Sequence, residues 1–400
     1  MHNDSNSKNG RRNFLTTAGL LSTSVLLPNK FAFAQTGKIR VGLMLPYTGT
    51  YASHGNAITN GFKLAVAENG GKLGGREVEY FTVDDESNPA KGPENASKLV
   101  ERDKVDVMVG TVHSGVAMGM VKIARDTGTL LIIPNAGVNA ATGALCAPNI
   151  FRTSFSSWQT AHPMGKVVAD RGHKNVVTIA WKYSFGEESV AGFTEGFTKA
   201  GGRVSKELWV PFPTVEFQAL LTQIASLKPD AVFTFFAGAG AAKFVKDYAA
   251  AGLKGSIPLF GTGFITDGVL EAQGAAAEGL ETTLHYGDGI DTPRNRAFRL
   301  EYAKAFKLQP DVYAVQGYDA GLLLAAGMNA VKGDVGNKKG IITAMENAKI
   351  DSPRGPWTMS KAHNPIQDIY LRKVVGNENV VTGIAGKAVE DPARGCKMAT

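Results

Sequence analysis

Ile39-Arg40-Val41-Gly42-Leu43-Met44-Leu45 is a short, nearly continuous apolar run, the pattern of a strand buried on both faces. Behind it, Asn56 to Glu68 carries Ile58, Phe62, Leu64 and Ala65 at helical spacing. The alternation continues outward. Val78 to Val83 reads as a strand, and Pro89 to Arg102 as a helix opened by Asn88 and Pro89. Val105 to Val109 is a strand, Val116 to Asp126 a helix, and Leu130 to Ile133 a strand. Such a βαβαβαβ series implies a parallel sheet with right-handed crossovers.

A loop rich in Asn, Gly, Ala and Pro spans Pro134 to Asn149, and the pattern then restarts. Strands are expected at Val176 to Ala180, Val204 to Val210, Ala231 to Phe236 and Ile257 to Phe260. Helices are expected between them at Glu187 to Ala200, Phe217 to Leu227 and Ala241 to Ala251. Arg294 to Lys307 and Val312 to Val331 are further helices, and Ile369 to Val375 is a late strand. The expected class is α/β, with two doubly wound, Rossmann-like units and no disordered linker between them. Open α/β sheets bind ligands outside the carboxyl ends of their strands. The loops after the strands, facing each other across a cleft, are therefore the candidate site.

Composition supports a folded, soluble chain. Of 400 residues, 44% are apolar and 20% charged, enough for two domains that bury a core. The net charge is +7, but Lys8, Arg11, Arg12 and Lys30 against Asp4 place +3 of it in the first 34 residues. The remainder is weak, and no basic stripe is interleaved with aromatics, so no nucleic-acid partner is expected. An anionic ligand is compatible with this balance, and a neutral one equally so.

Residues 1–34 read as a removable export signal. Arg11-Arg12-Asn13-Phe14-Leu15 is a twin-arginine pattern, an apolar run follows from Ala18 to Leu27, and Ala32-Phe33-Ala34 is a small-x-small cleavage site. The run is too short for a bilayer core of roughly 30 Å. A membrane anchor is the alternative. No Cys stands near the cleavage site to carry a lipid. In an exported protein the two cysteines, Cys146 and Cys396, are expected to pair; two separate thiols are the other possibility. They are too few for a metal cage, and no histidine falls at ligand spacing, so neither metal nor cofactor is expected.

Enzyme signatures are missing. There is no G-x-S-x-G elbow, no phosphate-binding G-x-x-x-x-G-K-[ST] loop and no H-E-x-x-H. Gly238-Ala239-Gly240 follows a strand, but Lys243 stands where the third glycine of a dinucleotide fingerprint belongs, which leaves a tight turn. Asp84-Asp85-Glu86 at a strand end reads as a solvated turn.

Four stretches carry a family resemblance. They are Ile39 to Pro46 running into Thr48-Gly49-Thr50-Tyr51-Ala52; Asn69 to Arg76 leading to Val83 through Pro89; Val109-Gly110-Thr111-Val112-His113-Ser114-Gly115; and Ile133-Pro134-Asn135-Ala136-Gly137 with Phe151-Arg152-Thr153. Together they make the chain resemble the branched-chain amino-acid-type periplasmic binding proteins, the type I fold of ABC importers, over most of residues 38 to 375. The resemblance implies two lobes joined by three crossovers near residues 155, 285 and 358. Residues 37–155 with 286–358 would form one lobe, and 156–285 with 359–400 the other. It also implies hinge closure on a small molecule and delivery to an inner-membrane permease; a monomer is expected, although the sequence does not fix the oligomeric state.

In that family the N-terminal lobe holds the ligand carboxylate. Ser114 matches its serine, at a position expected to open a helix, where free N–H groups suit an anion; an ordinary helix cap is the alternative. Asn135, Ala136 and Gly137 match the second anchoring loop, with Gly137 in place of the usual Thr. The acidic positions that hold an amino acid's ammonium match Ser157 and Gly263, and neither is acidic. A buried ammonium without a counter-charge costs several kcal/mol, so an α-amino ligand is disfavoured unless Asp267 or Glu187 substitutes. Aromatics crowd the same region: Trp158, Trp181, Tyr183, Phe185, Phe235, Phe236 and Phe264. Phe185 matches a ligand-touching tyrosine, and His54 and His113 are placed to hydrogen-bond a ligand. Phe235 and Phe236 read equally well as core. The expected ligand is an aromatic carboxylate of the benzoate or cinnamate type. An aliphatic amino-acid or amide receptor, a periplasmic sensor and an enzyme are the competing readings.

Overall fold

The computed structural model describes residues 37–399, so the export signal read in residues 1–34 lies outside the described residues. The first sheet contains β1 (Ile39–Leu45), β2 (Lys72–Leu73), β3 (Arg76–Asp84), β4 (Val107–Val109), β5 (Leu130–Ile133) and β6 (Ile150–Arg152), in the order β2-β3-β1-β4-β5-β6. All pairings are parallel except the short β2–β3 hairpin, and Ile39 registers with Val78. The second sheet contains β7 (Asn175–Lys182), β8 (Arg203–Pro211), β9 (Ala231–Phe235), β10 (Leu259–Thr262), β11 (Glu281–Leu284), β12 (Thr358–Met359), β13 (Pro365–Val375) and β14 (Glu378–Val389). Its order is β12-β13-β11-β10-β9-β7-β8, with β14 on the other edge of β13. Strands β7 to β11 pair in parallel, while β12, β13 and β14 run antiparallel to their neighbours.

Eleven α-helices cover these sheets among the described residues: α1 (Ala52–Glu68), α2 (Gly92–Ser97), α3 (Ser114–Thr127), α4 (Ser157–Asp170), α5 (Ser184–Lys199), α6 (Gln218–Leu227), α7 (Gly238–Ala250), α8 (Leu270–Gln273), α9 (Pro293–Phe306), α10 (Val312–Ala330) and α11 (Lys338–Glu346). None is long and apolar enough to cross a membrane. The helix expected at 89–102 forms in three pieces. A 3₁₀ turn at Pro89–Lys91 is capped by the Asn88 side chain, α2 follows, and a wider π turn closes the segment at Lys98–Arg102.

Helices α9 to α11 come late in the chain yet return to the first sheet. Leu323, Leu324 and Met328 of α10 and Ile341 and Met345 of α11 share a core with Ile39, Val41 and Leu43 of β1. Helix α10 is apolar on nearly every face and buried accordingly. Its approach to α1 needs glycine: a Cβ on Gly61 would lie 1.9 Å from the Ala314 carbonyl, and one on Gly317 would lie 2.0 Å from that of Ile58. The backbones therefore touch, which sets the N-termini of α1 and α10 side by side.

The chain passes between sheets after β6, after β11 and before β12. These crossings are bound together. The Ser154 carbonyl accepts from Arg354 (3.3 Å) and Gln367 (2.5 Å). Arg354 pairs with Asp319 at 3.2 Å, both fully buried. Cys146, after β5, forms a disulfide with Cys396 near the C-terminus.

Candidate functional site

One cavity lies where the two sheets' carboxyl ends face each other. It is small and partly open, and is lined by Tyr51, His54, Val112, Asn135, Phe155, Tyr183, Phe185, Phe235, Ala237, Phe264 and Tyr313. Local chain direction puts each there. Tyr51 and His54 open α1, Val112 precedes α3, Asn135 follows β5, and Tyr313 lies in the first turn of α10. Tyr183 and Phe185 open α5, Phe235 ends β9, Ala237 caps α7, and Phe264 follows β10. Phe155 sits on the first crossing. The lining therefore comes from strand ends and helix starts of both units.

The halves touch. The Tyr51 and Tyr183 hydroxyls are 3.0 Å apart, the Asn139 amide donates to Glu188 at 2.8 Å, and His113 stacks on Tyr183 at 4.5 Å between centroids. Aromatic rings interlock around the space. Phe185 lies 4.4 Å from Phe235 and 5.5 Å from Phe264, and Phe155 lies 4.9 Å from Phe264.

Two lining residues carry buried polar atoms without a protein partner: His54 Nε2 and the Tyr313 hydroxyl. Ser114 Oγ, two residues past Val112 in the chain, is likewise buried and unpartnered. Such atoms cost free energy unless something bonds them. Burial lowers the His54 pKa to about 3 and that of His113 to about 4, so both rings are neutral near pH 7. Burial holds the Tyr51, Tyr183 and Tyr313 phenols well above their ordinary range, so they remain hydroxyls. Among the described residues, no Asp, Glu, Lys or Arg lines the cavity.

Of the residues singled out in the sequence, the structure brings His54, Asn135, Tyr183, Phe185, Phe235 and Phe264 onto the wall. His113 stands behind Tyr183, and its Nδ1 accepts from the Gly115 amide at 3.0 Å. His113, not Ser114, therefore caps α3 with its side chain. The Ala136 amide is taken by the Thr111 carbonyl at 2.9 Å and is not free for a ligand. Gly137 abuts the rings: a Cβ there would lie 2.5 Å from Phe185 and 2.9 Å from Phe155, which accounts for glycine in place of Thr.

Four expected residues sit away from the cavity. Trp181 turns into the core, donates to the Thr214 carbonyl at 2.8 Å and packs edge-on against Phe212 and Phe236. Phe236 packs on Phe217 and Phe244, while its neighbour Phe235 faces the cavity. Gly263 is wedged against Arg372 and Leu284, and Phe264 reaches the wall in its place. Ser157 opens α4 and gives its backbone amide to the Gly137 carbonyl at 2.7 Å. Neither acidic substitute serves: Asp267 is held by Arg372 at 2.7 Å, and Glu187 is exposed on α5. Tyr51, Val112, Phe155, Ala237 and Tyr313 were not singled out. Tyr51 and Val112 lie inside quoted motifs, and only the return of α10 places Tyr313.

This fold and this cleft define a two-lobed, hinge-type binding protein. Residues 38–379 match the periplasmic binding protein family, and the chain belongs to it. A Leu/Ile/Val-binding protein homolog 6 of Brucella melitensis is 31% identical over 345 residues, covering 84% of this chain and 87% of that protein. Among solved structures, an ABC-transporter solute-binding protein of R. palustris in complex with benzoate is 53% identical, with a TM-score of 0.88, covering 90% of this chain and 100% of that one. Another, from Rhodopseudomonas palustris BisB5 in complex with 3,4-dihydroxybenzoic acid, is 32% identical with a TM-score of 0.84, covering 89% and 99%.

Proposed function

We propose that this chain is the exported, periplasmic solute-binding component of an ABC importer, and that it captures an aromatic carboxylate of the benzoate type. One observation carries the reading: the cavity is walled by aromatic rings and, among the described residues, has no charged side chain in its lining. An amino acid would bring an ammonium into this space with no counter-charge, at a cost of several kcal/mol. A benzoate brings a flat ring and a carboxylate but no ammonium. The similarity to benzoate- and hydroxybenzoate-bound structures supports the same assignment.

The carboxylate lies toward Ser114 and the loop at 135–137, and the ring lies among Phe155, Phe185, Phe235 and Phe264. The polar anchors belong to one lobe and most of the rings to the other, so closure about the three crossings completes the site. The chain binds stoichiometrically without turnover, works as a monomer, leaves the cytoplasm by its twin-arginine signal, and passes its ligand to a membrane permease.

Thermal shift and calorimetry on the chain without residues 1–34 test this. Benzoate is expected to stabilise the fold and bind at micromolar Kd or tighter, about −8 kcal/mol. Stabilisation by leucine and not by benzoates overturns the proposal in favour of the aliphatic amino-acid reading, which the names of the Brucella relatives favour.

A further inference from the structure

Arg152 ends β6 and is fully buried, yet no carboxylate among the described residues pairs with it. Its guanidinium instead gathers three backbone carbonyls. One Nη donates to Gly137 and to Phe155, each at 2.9 Å, and the other donates to Val138 at 2.5 Å. Nε has no partner. Burial pulls its pKa down to about 10, against the pull of Asp391 and Glu188, the nearest acids. Both acids are engaged elsewhere: Asp391 by Ser156 and the Ala393 amide, Glu188 by the Asn139 amide. Burial also raises the Glu188 pKa to about 7, which leaves its charge partial near neutral pH.

Two consequences follow from where the guanidinium sits. Phe155 lines the cavity and Gly137 touches the lining rings, so the charge stands one residue behind the wall. In a trans peptide the C=O and the following N–H point in opposite directions. Drawing the Gly137 and Val138 carbonyls to Arg152 therefore turns the Val138 and Asn139 amides away from it. The Asn139 amide goes to Glu188, and the Val138 amide has no protein acceptor.

We propose that Arg152 is the positioning residue that makes this cavity select an anion: it fixes the 137–138 peptides and supplies the positive charge that a bound carboxylate completes. The proposal rests on the aromatic-carboxylate reading. A purely structural Arg152 would hold the loop and be indifferent to ligand charge.

The test compares benzoate with benzamide, its neutral counterpart of similar shape, by calorimetry. The wild-type chain is expected to prefer benzoate by about tenfold or more. Arg152→Met is expected to lose about tenfold or more in benzoate affinity and under about threefold in benzamide affinity. Arg152→Lys, which keeps the charge and loses the three-carbonyl grip, is expected to weaken both and retain the preference. Equal losses for the two ligands in Arg152→Met overturn the proposal. If that variant does not fold, the other two chains decide: equal wild-type affinities, or a lysine variant without the preference, overturn it. A wild-type chain that binds no benzoate at all instead rejects the ligand assignment itself.

Discussion

The cavity has two unlike walls. The wall from α1, the loop after β5 and the start of α10 carries hydrogen-bonding atoms with no partner among the described residues, at His54 and Tyr313. The wall from β7, β9 and β10 carries Tyr183, Phe185, Phe235 and Phe264, whose one hydroxyl is already taken by Tyr51. The first wall is short of partners and the second is complete without any. A ligand that satisfies both must be polar at one end and flat and apolar at the other.

The sharpest way to break this contrast is at the seam. Gly137→Thr forces atoms into the space of Phe185 and Phe155 and overpacks the site by about 1–3 kcal/mol. Benzoate affinity should fall by about a hundredfold in a calorimetric titration, since both walls are displaced together. A variant that binds normally would show that Phe185 is not held in place by the glycine. Next in size, Phe185→Ala removes a ring from the apolar wall and should weaken benzoate by about 1.5–3 kcal/mol, roughly tenfold to a hundredfold. Leucine should gain nothing from the space created.

Ser114→Ala acts on the other wall. Losing one charge-assisted hydrogen bond of about 1.5 kcal/mol should weaken benzoate about tenfold without lowering the melting temperature of the ligand-free chain, because the serine caps nothing and its buried hydroxyl has no partner. Unchanged affinity would move the carboxylate elsewhere.

The smallest expected effect is with pH. His54 and His113 take up protons only near pH 3 and pH 4, so neither changes charge between pH 8 and pH 5, and replacing either by Gln should leave the pH profile of benzoate affinity there unchanged. A rise in affinity toward pH 5 that His54→Gln abolishes would mean that a charged imidazole holds the carboxylate. The same low values affect folding. Below the ordinary histidine range the unfolded chain binds protons that the folded chain refuses, so the stability these two residues contribute at neutral pH declines as pH falls.

Most of the fold is legible in the sequence because its parallel strands are apolar runs and its helices keep their spacing. The exceptions have local causes. Helix α4 contains Pro163, which hides it, although Ser156 and Gln159 form a capping box that marks its start. Strand β6 has only 3 residues, and β14 is half exposed without clean alternation. The site is legible wherever a strand end meets a helix start, as at Asn135, Tyr183 and Phe185. Parity is where reading fails. Side chains alternate faces along a strand, and β9 ends at Phe235, so which of two adjacent phenylalanines faces the cleft depended on a boundary the sequence does not mark. Tyr313 lies far along the chain, and its place depends on the glycine contact between α1 and α10.

The most direct test of the two-walled account is a crystal structure of the chain with benzoate. The account predicts the carboxylate within hydrogen-bonding distance of Ser114 Oγ or the amides of residues 135, 137 or 138, with the ring edged by Phe185 and Phe264. A carboxylate turned toward the phenylalanines of the second lobe, or benzoate bound outside the cleft, would contradict it.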